Sequence, residues 1–158
     1  MQVIPNFIEE KNIQDHIKNI LFGWMFPYYY HSSVEGSDDY FFQHILWADD
    51  GDHMSDYFLP IMMPILGGLK YTALIRAKVN CYTKHDEFCK TGFHVDSDGP
   101  HMVGLYSVNT NNGYTLFEDG TKIESIENQM VIFDGKTKHC SVAQTDTKLR
   151  INININFR

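Results

Sequence analysis

The sequence has no apolar run near the roughly 20 residues that a membrane-spanning helix needs. The longest candidate, Phe58 to Leu66, is short and carries Pro60 and Pro64. The opening Met-Gln-Val-Ile-Pro-Asn lacks a charged start followed by an apolar stretch, so no secretory signal is expected. Cysteine is scarce: Cys81, Cys89 and Cys140 are all there is. An odd, sparse count argues against a disulfide framework and predicts a reducing cytoplasm. Positive charge is also scarce, with 13 Lys and Arg against 20 Asp and Glu. No basic stripe follows a phosphate backbone, which makes nucleic acid an improbable partner. Internal repeats, low-complexity tracts and linkers are absent. The expectation is one soluble domain over residues 1–158.

What is present fits such a domain. A chain of 158 residues buries roughly 70% of its unfolded surface. Aromatic residues make up 14%, enough for a tightly filled core or a lined pocket. The charge is uneven. Residues 1–52 hold nine Asp and Glu against two Lys, and residues 53–158 hold eleven of each sign. The formal net charge of −7 therefore sits in the first third. That segment reads either as a solvated surface or as a rim that attracts a basic peptide.

Periodicity divides the chain near residue 68. Asn6 with Glu9 resembles a capping box, Ile13, Ile17, Ile20 and Leu21 share one helical face, and Gly23 can close the helix. Residues 24–52 are aromatic, then acidic, and read as strands and loops with a turn at Glu35-Gly36-Ser37-Asp38. A second helix is expected over about 53–66, ended by Gly67-Gly68. From residue 70 the period changes to two. Ala73, Ile75, Ala77, Val79 and Cys81 take one side of a strand, and Arg76, Lys78, Asn80 and Tyr82 the other. Further strands are expected over 102–109, 114–117, 122–126 and 130–133, with turns at 110–113 and 118–120. The last strand is the clearest. Leu149, Ile151, Ile153, Ile155 and Phe157 alternate with Arg150, Asn152, Asn154, Asn156 and Arg158. Helical support and acidic loops over about 1–68, then a run of short strands over about 70–158, predict a mainly β fold with N-terminal helices, its core a jelly roll.

One stretch carries a metal signal. In Thr91-Gly-Phe-His94-Val-Asp96, the His and Asp are two apart, so on a strand both side chains point to the same face. His139, beyond the strand 130–133 and its turn, is the best third ligand. Two imidazoles and one carboxylate on one face of an ion leave open positions, the pattern of non-haem Fe(II) oxygenases. Alone, His94 reads as a capping histidine and His139 as a loop residue. Arg150 and Asn152 follow on the polar side of the last strand. If that side faces inward, Arg150 is a buried cation that needs an anionic partner, and a dicarboxylate supplies one. If it faces outward, it is a wet surface.

Residues 76 to 154, half the chain, resemble the Fe(II)/2-oxoglutarate-dependent dioxygenases, and most closely their prolyl 4-hydroxylase branch. The resemblance implies a double-stranded β-helix with iron held by His94, Asp96 and His139. It further implies that Arg150 binds the far carboxylate of 2-oxoglutarate and that Tyr82 donates its hydroxyl to it. Thr115, in Gly113-Tyr-Thr-Leu-Phe117, is implied to line the cosubstrate pocket. Asn152 stands where the family often has a hydroxyl, so its contact with the cosubstrate is open. The implied chemistry uses Fe(II), 2-oxoglutarate and O₂, with ascorbate as a candidate reductant. It hydroxylates a C–H bond, with a prolyl or other residue of a peptide or protein as the first expected substrate, and releases succinate and CO₂. A free amino acid or other small molecule is the alternative. Halogenating relatives replace the carboxylate, so Asp96 favours hydroxylation. Compact members of this kind are phage-encoded, which would place the chain in a host cytoplasm.

Other readings compete. Cys81, His85, Cys89 and His94 have a conceivable zinc spacing without paired C-x₂-C geometry. A non-catalytic jelly-roll binding module would be expected to lose one member of the His-Asp-His-Arg set. A nucleobase demethylase would be expected to have a basic surface. The sequence assigns no role to His31, His44, His53 or His101.

Overall fold

The computed structural model of the chain describes residues 1–32, 40–48, 51–97 and 99–158. The turn expected at Glu35 to Asp38 lies outside the described residues. Two antiparallel sheets face each other. The larger runs, in spatial order, β1 (Gln2–Ile4), β9 (Gln129–Asp134), β6 (Met102–Ser107), β11 (Leu149–Phe157), β5 (Leu74–Thr83), β3 (Tyr40–Ala48) and β2 (Tyr29–Ser32). The two-residue β4 (His53–Met54) pairs with β3. The smaller sheet runs β10 (His139–Val142), β7 (Asn111–Phe117) and β8 (Lys122–Ser125). The helices are α1 (Lys11–Leu21) and α2 (Phe58–Gly67). The architecture is the mainly β fold with N-terminal helices expected from the sequence.

The period-two pattern decides what each face of β11 meets. Ile151, Ile153 and Ile155 pack with Val79 and Cys81 of β5 against Ile17, Leu21, Ile61, Met62 and Ile65 of the two helices. A smaller apolar cluster, Val103, Phe117, Val131 and Phe133, fills one end of the space between the sheets. The polar side of β11 turns toward the smaller sheet, and Arg150, Asn152, Asn154 and Asn156 are all buried. The inward reading of this strand is therefore the correct one. A central strand flanked by β5 and β6 has no wet face to offer.

Several boundaries differ from expectation. The Asn6–Glu9 capping box does not form; α1 begins at Lys11 after Glu10, with no side-chain cap. Asn6 instead adopts a left-handed φ of 50°. The incoming chain is pinned by tertiary bonds: Phe7 N–H donates to the Asn128 carbonyl, and the Asn128 side chain bonds both the N–H and the carbonyl of Ile8. Gly23 does close the helix, its N–H donating to Ile20 O at 3.0 Å, and a Cβ there would lie 2.9 Å from Asn19 O. The second helix starts five residues later than expected because His53 and Met54 pair with β3. Residues 110–113 are not a free turn. Asn111 already belongs to β7, and its side chain bonds Asn109 O and Gly113 N. The aromatic segment 24–30 is mixed: Phe26 is buried against Tyr28, His44 and Tyr57, whereas Trp24 is 92% exposed.

Candidate active site

The open end of the space between the sheets holds a narrow cleft. Its lining includes Tyr82, His94, Asp96, Thr115, His139, Arg150 and Asn152, so every residue singled out from the sequence meets there. His94 lies in an extended segment that pairs with the start of β10. His94 and His139 exchange both backbone N–H···O bonds at 3.0 Å, which brings their rings to 4.8 Å apart, tilted by 48°. Thr91 fastens the same segment: Ser141 N–H donates to its hydroxyl and its own N–H donates to Ser141 O. His139 thus sits on a strand that neighbours the His94 segment, as a third ligand was expected to, although the sequence did not delimit β10.

The three side chains gather as a ligand set. One donor atom from each of His94, Asp96 and His139 lies within 4.8 Å of the others, and no other such group exists among the described residues. His94 Nδ1–H donates to Gly92 O and His139 Nδ1–H to Thr137 O, both at 3.1 Å. Those bonds fix the tautomers and leave each Nε2 lone pair free for an ion. His94 Nε2 lies 3.9 Å from Asp96 Oδ1. The Asp96 side chain is only 3% exposed, and its Oδ2 accepts from Asn154 Nδ2 at 2.9 Å. Burial opposes its charge, but Asn154, with His139, Lys78 and Arg76 nearby, holds its carboxyl below the usual range. Burial also pulls the His139 imidazole below its ordinary value, against the attraction of Asp96. An ionised carboxylate beside a neutral imidazole is the protonation state that a metal requires of such ligands. Among the described residues the zinc set of Cys81, His85, Cys89 and His94 does not form, because Cys81 is in the core on the opposite face of β5.

Deeper in the cleft Arg150 is 2% exposed. It donates to the hydroxyls of Ser125 and Ser141 and to Val142 O, and lies 3.5 Å from Thr115 Oγ1. No carboxylate among the described residues pairs with it. Tyr82, its register partner on β5, lays its ring 5.2 Å from the guanidinium, with Phe41 stacked on the far side at 5.4 Å. Asn152 accepts from Asn80 Nδ2 at 2.9 Å, so its amide is already engaged within the cleft. The enclosed room is about 40 Å³, space for only a few waters. The donor set fits a divalent ion, and the uncompensated guanidinium fits an anion beside it.

Sequence reasoning missed the supports. Asn154 orients Asp96, Ser125 and Ser141 hold Arg150, and Lys78 lines the cleft beside Asp96. Burial and the nearby Arg76 pull the Lys78 ammonium down to about 8, against the pull of Asp96. The alternation of β5 and β11 already carried the signal for Lys78 and Asn154, since each shares a face with a singled-out residue. Ser125 and Ser141 carried none. Five of the nine acidic residues of the first third lie outside the described residues; Glu9, Glu10, Asp15 and Asp52 do not line the cleft.

No protein-family model matches the sequence, and no curated protein does. Solved structures do match. An oxidoreductase of the 2OG-Fe(II) oxygenase family from Burkholderia pseudomallei is 8% identical over 98% of this chain and 84% of its own, with a TM-score of 0.67. The viral collagen prolyl hydroxylase of Paramecium Bursaria Chlorella virus-1, solved as its 2OG complex, is 14% identical over 99% and 94%, at 0.62. A prolyl hydroxylase from Trichoplax adhaerens, solved with a hypoxia inducible factor peptide fragment, is 16% identical over 99% and 82%, at 0.66. At these identities the likeness is one of fold: the chain has the double-stranded β-helix, or jelly-roll, fold of the 2OG-Fe(II) oxygenases, prolyl hydroxylases among them.

Proposed function

We propose that the whole chain is one Fe(II)- and 2-oxoglutarate-dependent dioxygenase domain that hydroxylates a C–H bond, first of all in a prolyl or other residue of a peptide or protein. The observation that carries this reading is Arg150, a fully buried cation without a carboxylate partner among the described residues, in the same cleft as a His-Asp-His set. A charge so buried is stable only when an anion or strong acceptors compensate it. Fe(II) with 2-oxoglutarate and O₂ supplies the oxidising power for hydroxylation, and succinate and CO₂ leave.

Each residue has a separate task. His94, Asp96 and His139 hold the ion, with Asn154 keeping Asp96 turned toward it. Arg150 takes the far carboxylate of the cosubstrate, Tyr82 donates its hydroxyl there, and Thr115 lines that end. Asn152, tied to Asn80, shapes the wall. The apolar cluster behind His139 keeps water from that side of the centre. The peptide reading draws on the Trichoplax structure, solved with a peptide fragment. The acid-rich first third would steer a basic partner at long range. We place the protein in the cytoplasm, of a host cell if the chain is phage-encoded; no helix among the described residues is long and apolar enough to cross a membrane.

The test is an anaerobic titration of the metal-free protein with Fe(II) and then 2-oxoglutarate, followed through the visible charge-transfer band of the chelated keto acid. The band is expected in the natural protein and is expected to be lost in Asp96→Ala. Its absence from well-folded, metal-loaded protein would remove the oxygenase reading.

A further inference from the structure

The charge left over in the cleft is positive. Lys78 lies on β5 between Arg76 and Asn80, opposite Asn154 of β11, and its side chain lines the cleft. It makes no hydrogen bond or ion pair with any described residue. Arg76, two residues earlier on the same face of β5, donates from Nη2 to the Asp96 carbonyl at 3.4 Å and has that nitrogen 3.7 Å from Asp96 Oδ1, while its Nε is buried without an acceptor among the described residues. Asp96 is the only carboxylate among the described lining residues. Arg76 therefore keeps one buried donor without an acceptor, and the Lys78 ammonium beside it has no protein acceptor among the described residues, on the side of Asp96 away from Arg150.

The imbalance grows when the site is filled. A divalent ion, the Asp96 carboxylate, a dicarboxylate and the Arg150 guanidinium cancel one another's charge. Lys78 and Arg76 then have no counter-charge left among the described residues, because Asp96 is spent on the ion. A solvated lysine at this position would need no explanation. A partly buried one, walled by Asn80, Asp96 and Asn154, is a poor place for an ammonium unless an anion joins it.

We propose that Lys78, assisted by Arg76, is a substrate-binding residue that pairs with a carboxylate of the molecule being hydroxylated. This rests on the oxygenase reading above and narrows it: the substrate is anionic at the reacting end, whatever the charge of its remainder. The carboxylate comes either from the free end of an amino acid or peptide, or from an acidic side chain next to the reacting residue. Lys78 lies four residues before Tyr82 on the same face of one strand, roughly 13 Å along the backbone. That separation leaves the Arg150 end to the cosubstrate and the Lys78 end to the substrate.

The experiment is calorimetric titration of the anaerobic protein loaded with Fe(II) and 2-oxoglutarate. The probes are a panel of N-acetyl amino acids, N-acetyl-L-proline first, each with its amide, which removes only the charge. The acids are expected to bind roughly tenfold or more tightly than the amides, the size of one charge-assisted hydrogen bond. Lys78→Met is expected to erase that preference and Lys78→Arg to keep most of it, while the keto-acid band reports that either site remains intact. Acetyl-Asp-Pro-amide against acetyl-Asn-Pro-amide separates a side-chain carboxylate from a terminal one, and a preference in either pair supports the proposal. Acids and amides that bind alike in both sets, a panel in which no acid binds, or a preference that survives in Lys78→Met overturns it. Absence of the band in the natural protein defeats the oxygenase reading and this inference together. A normal band without a carboxylate preference defeats the Lys78 assignment alone.

Discussion

At the scale of single residues, the buried cations and histidines set the sharpest expectations. Arg150 is held by Ser125, Ser141 and the Val142 carbonyl. Neutral acceptors alone repay little of what it costs to bury a guanidinium. In Arg150→Met, affinity for 2-oxoglutarate is expected to fall about a hundredfold, as befits a lost two-pronged charged contact. Urea denaturation without ligand is expected to find the same variant as stable as the natural protein or more so. A large loss of stability would mean that Arg150 serves structure first. His44 works in the opposite sense. Burial against Phe26 and Tyr57 lowers its imidazole below 6.5, the Pro27 carbonyl opposes this, and His53 adds to it. The unfolded chain therefore binds the proton more readily than the folded one. Its contribution is complete above pH 6.5 and lost as the pH falls through the folded value. The drop in urea midpoint between pH 8 and pH 5.5 is expected to be smaller in His44→Gln, and an unchanged drop would count against this account.

At the scale of elements, the N-terminal segment and α1 depend on one side chain far away in sequence. Asn128, at a φ of 62°, accepts from Ile8 N–H, donates to Ile8 O and accepts from the Tyr106 hydroxyl. Asn128→Gly keeps the left-handed backbone free of strain and removes all three bonds. It is expected to cost about 2 kcal/mol in chemical denaturation and to speed amide exchange most over residues 7–21. The Lys11 and Lys18 pairs with Glu127 brace the same junction, but they are partly exposed and contribute little. The long elements were legible in the sequence. The alternation of β5 and β11 gave both strands and both of their faces, and the 3.6-residue period of Ile13, Ile17, Ile20 and Leu21 gave α1. Three short elements were not. β1, β4 and β10 have two to four residues each and exist only because a partner strand offers its edge, so no local pattern announces them.

For the molecule as a whole, folding and ligand binding are linked. If the cleft binds 2-oxoglutarate with the metal in place, anaerobic thermal melts with cosubstrate at a hundred times its Kd are expected to gain about 2.7 kcal/mol at the transition. The gain is expected to shrink in Arg150→Met and to stay in Asn128→Gly, because the second variant weakens a junction that the ligand does not touch. Equal gains in all three proteins would mean that the ligand binds somewhere other than the Arg150 end of the cleft.

What the sequence determined by itself was local and periodic. The i, i+2 spacing set His94 beside Asp96, the alternation of the last strand set Arg150 on one side with Asn152, and β-rich patterning after residue 70 gave the class of fold. Only the tertiary structure decided which side of β11 faces inward, because both sides of a central strand are buried and polarity alone does not tell a wet face from a lined cleft. It also decided that His139 joins His94 through a two-way backbone pairing, that Asn154 turns Asp96 toward its neighbours, and that Lys78 stands in the same cleft with no acid of its own among the described residues. The first two are contacts between residues 45 and 58 positions apart. They are fixed by the closing of two sheets over one another, and that closure depends on the whole hydrophobic pattern and on no single motif.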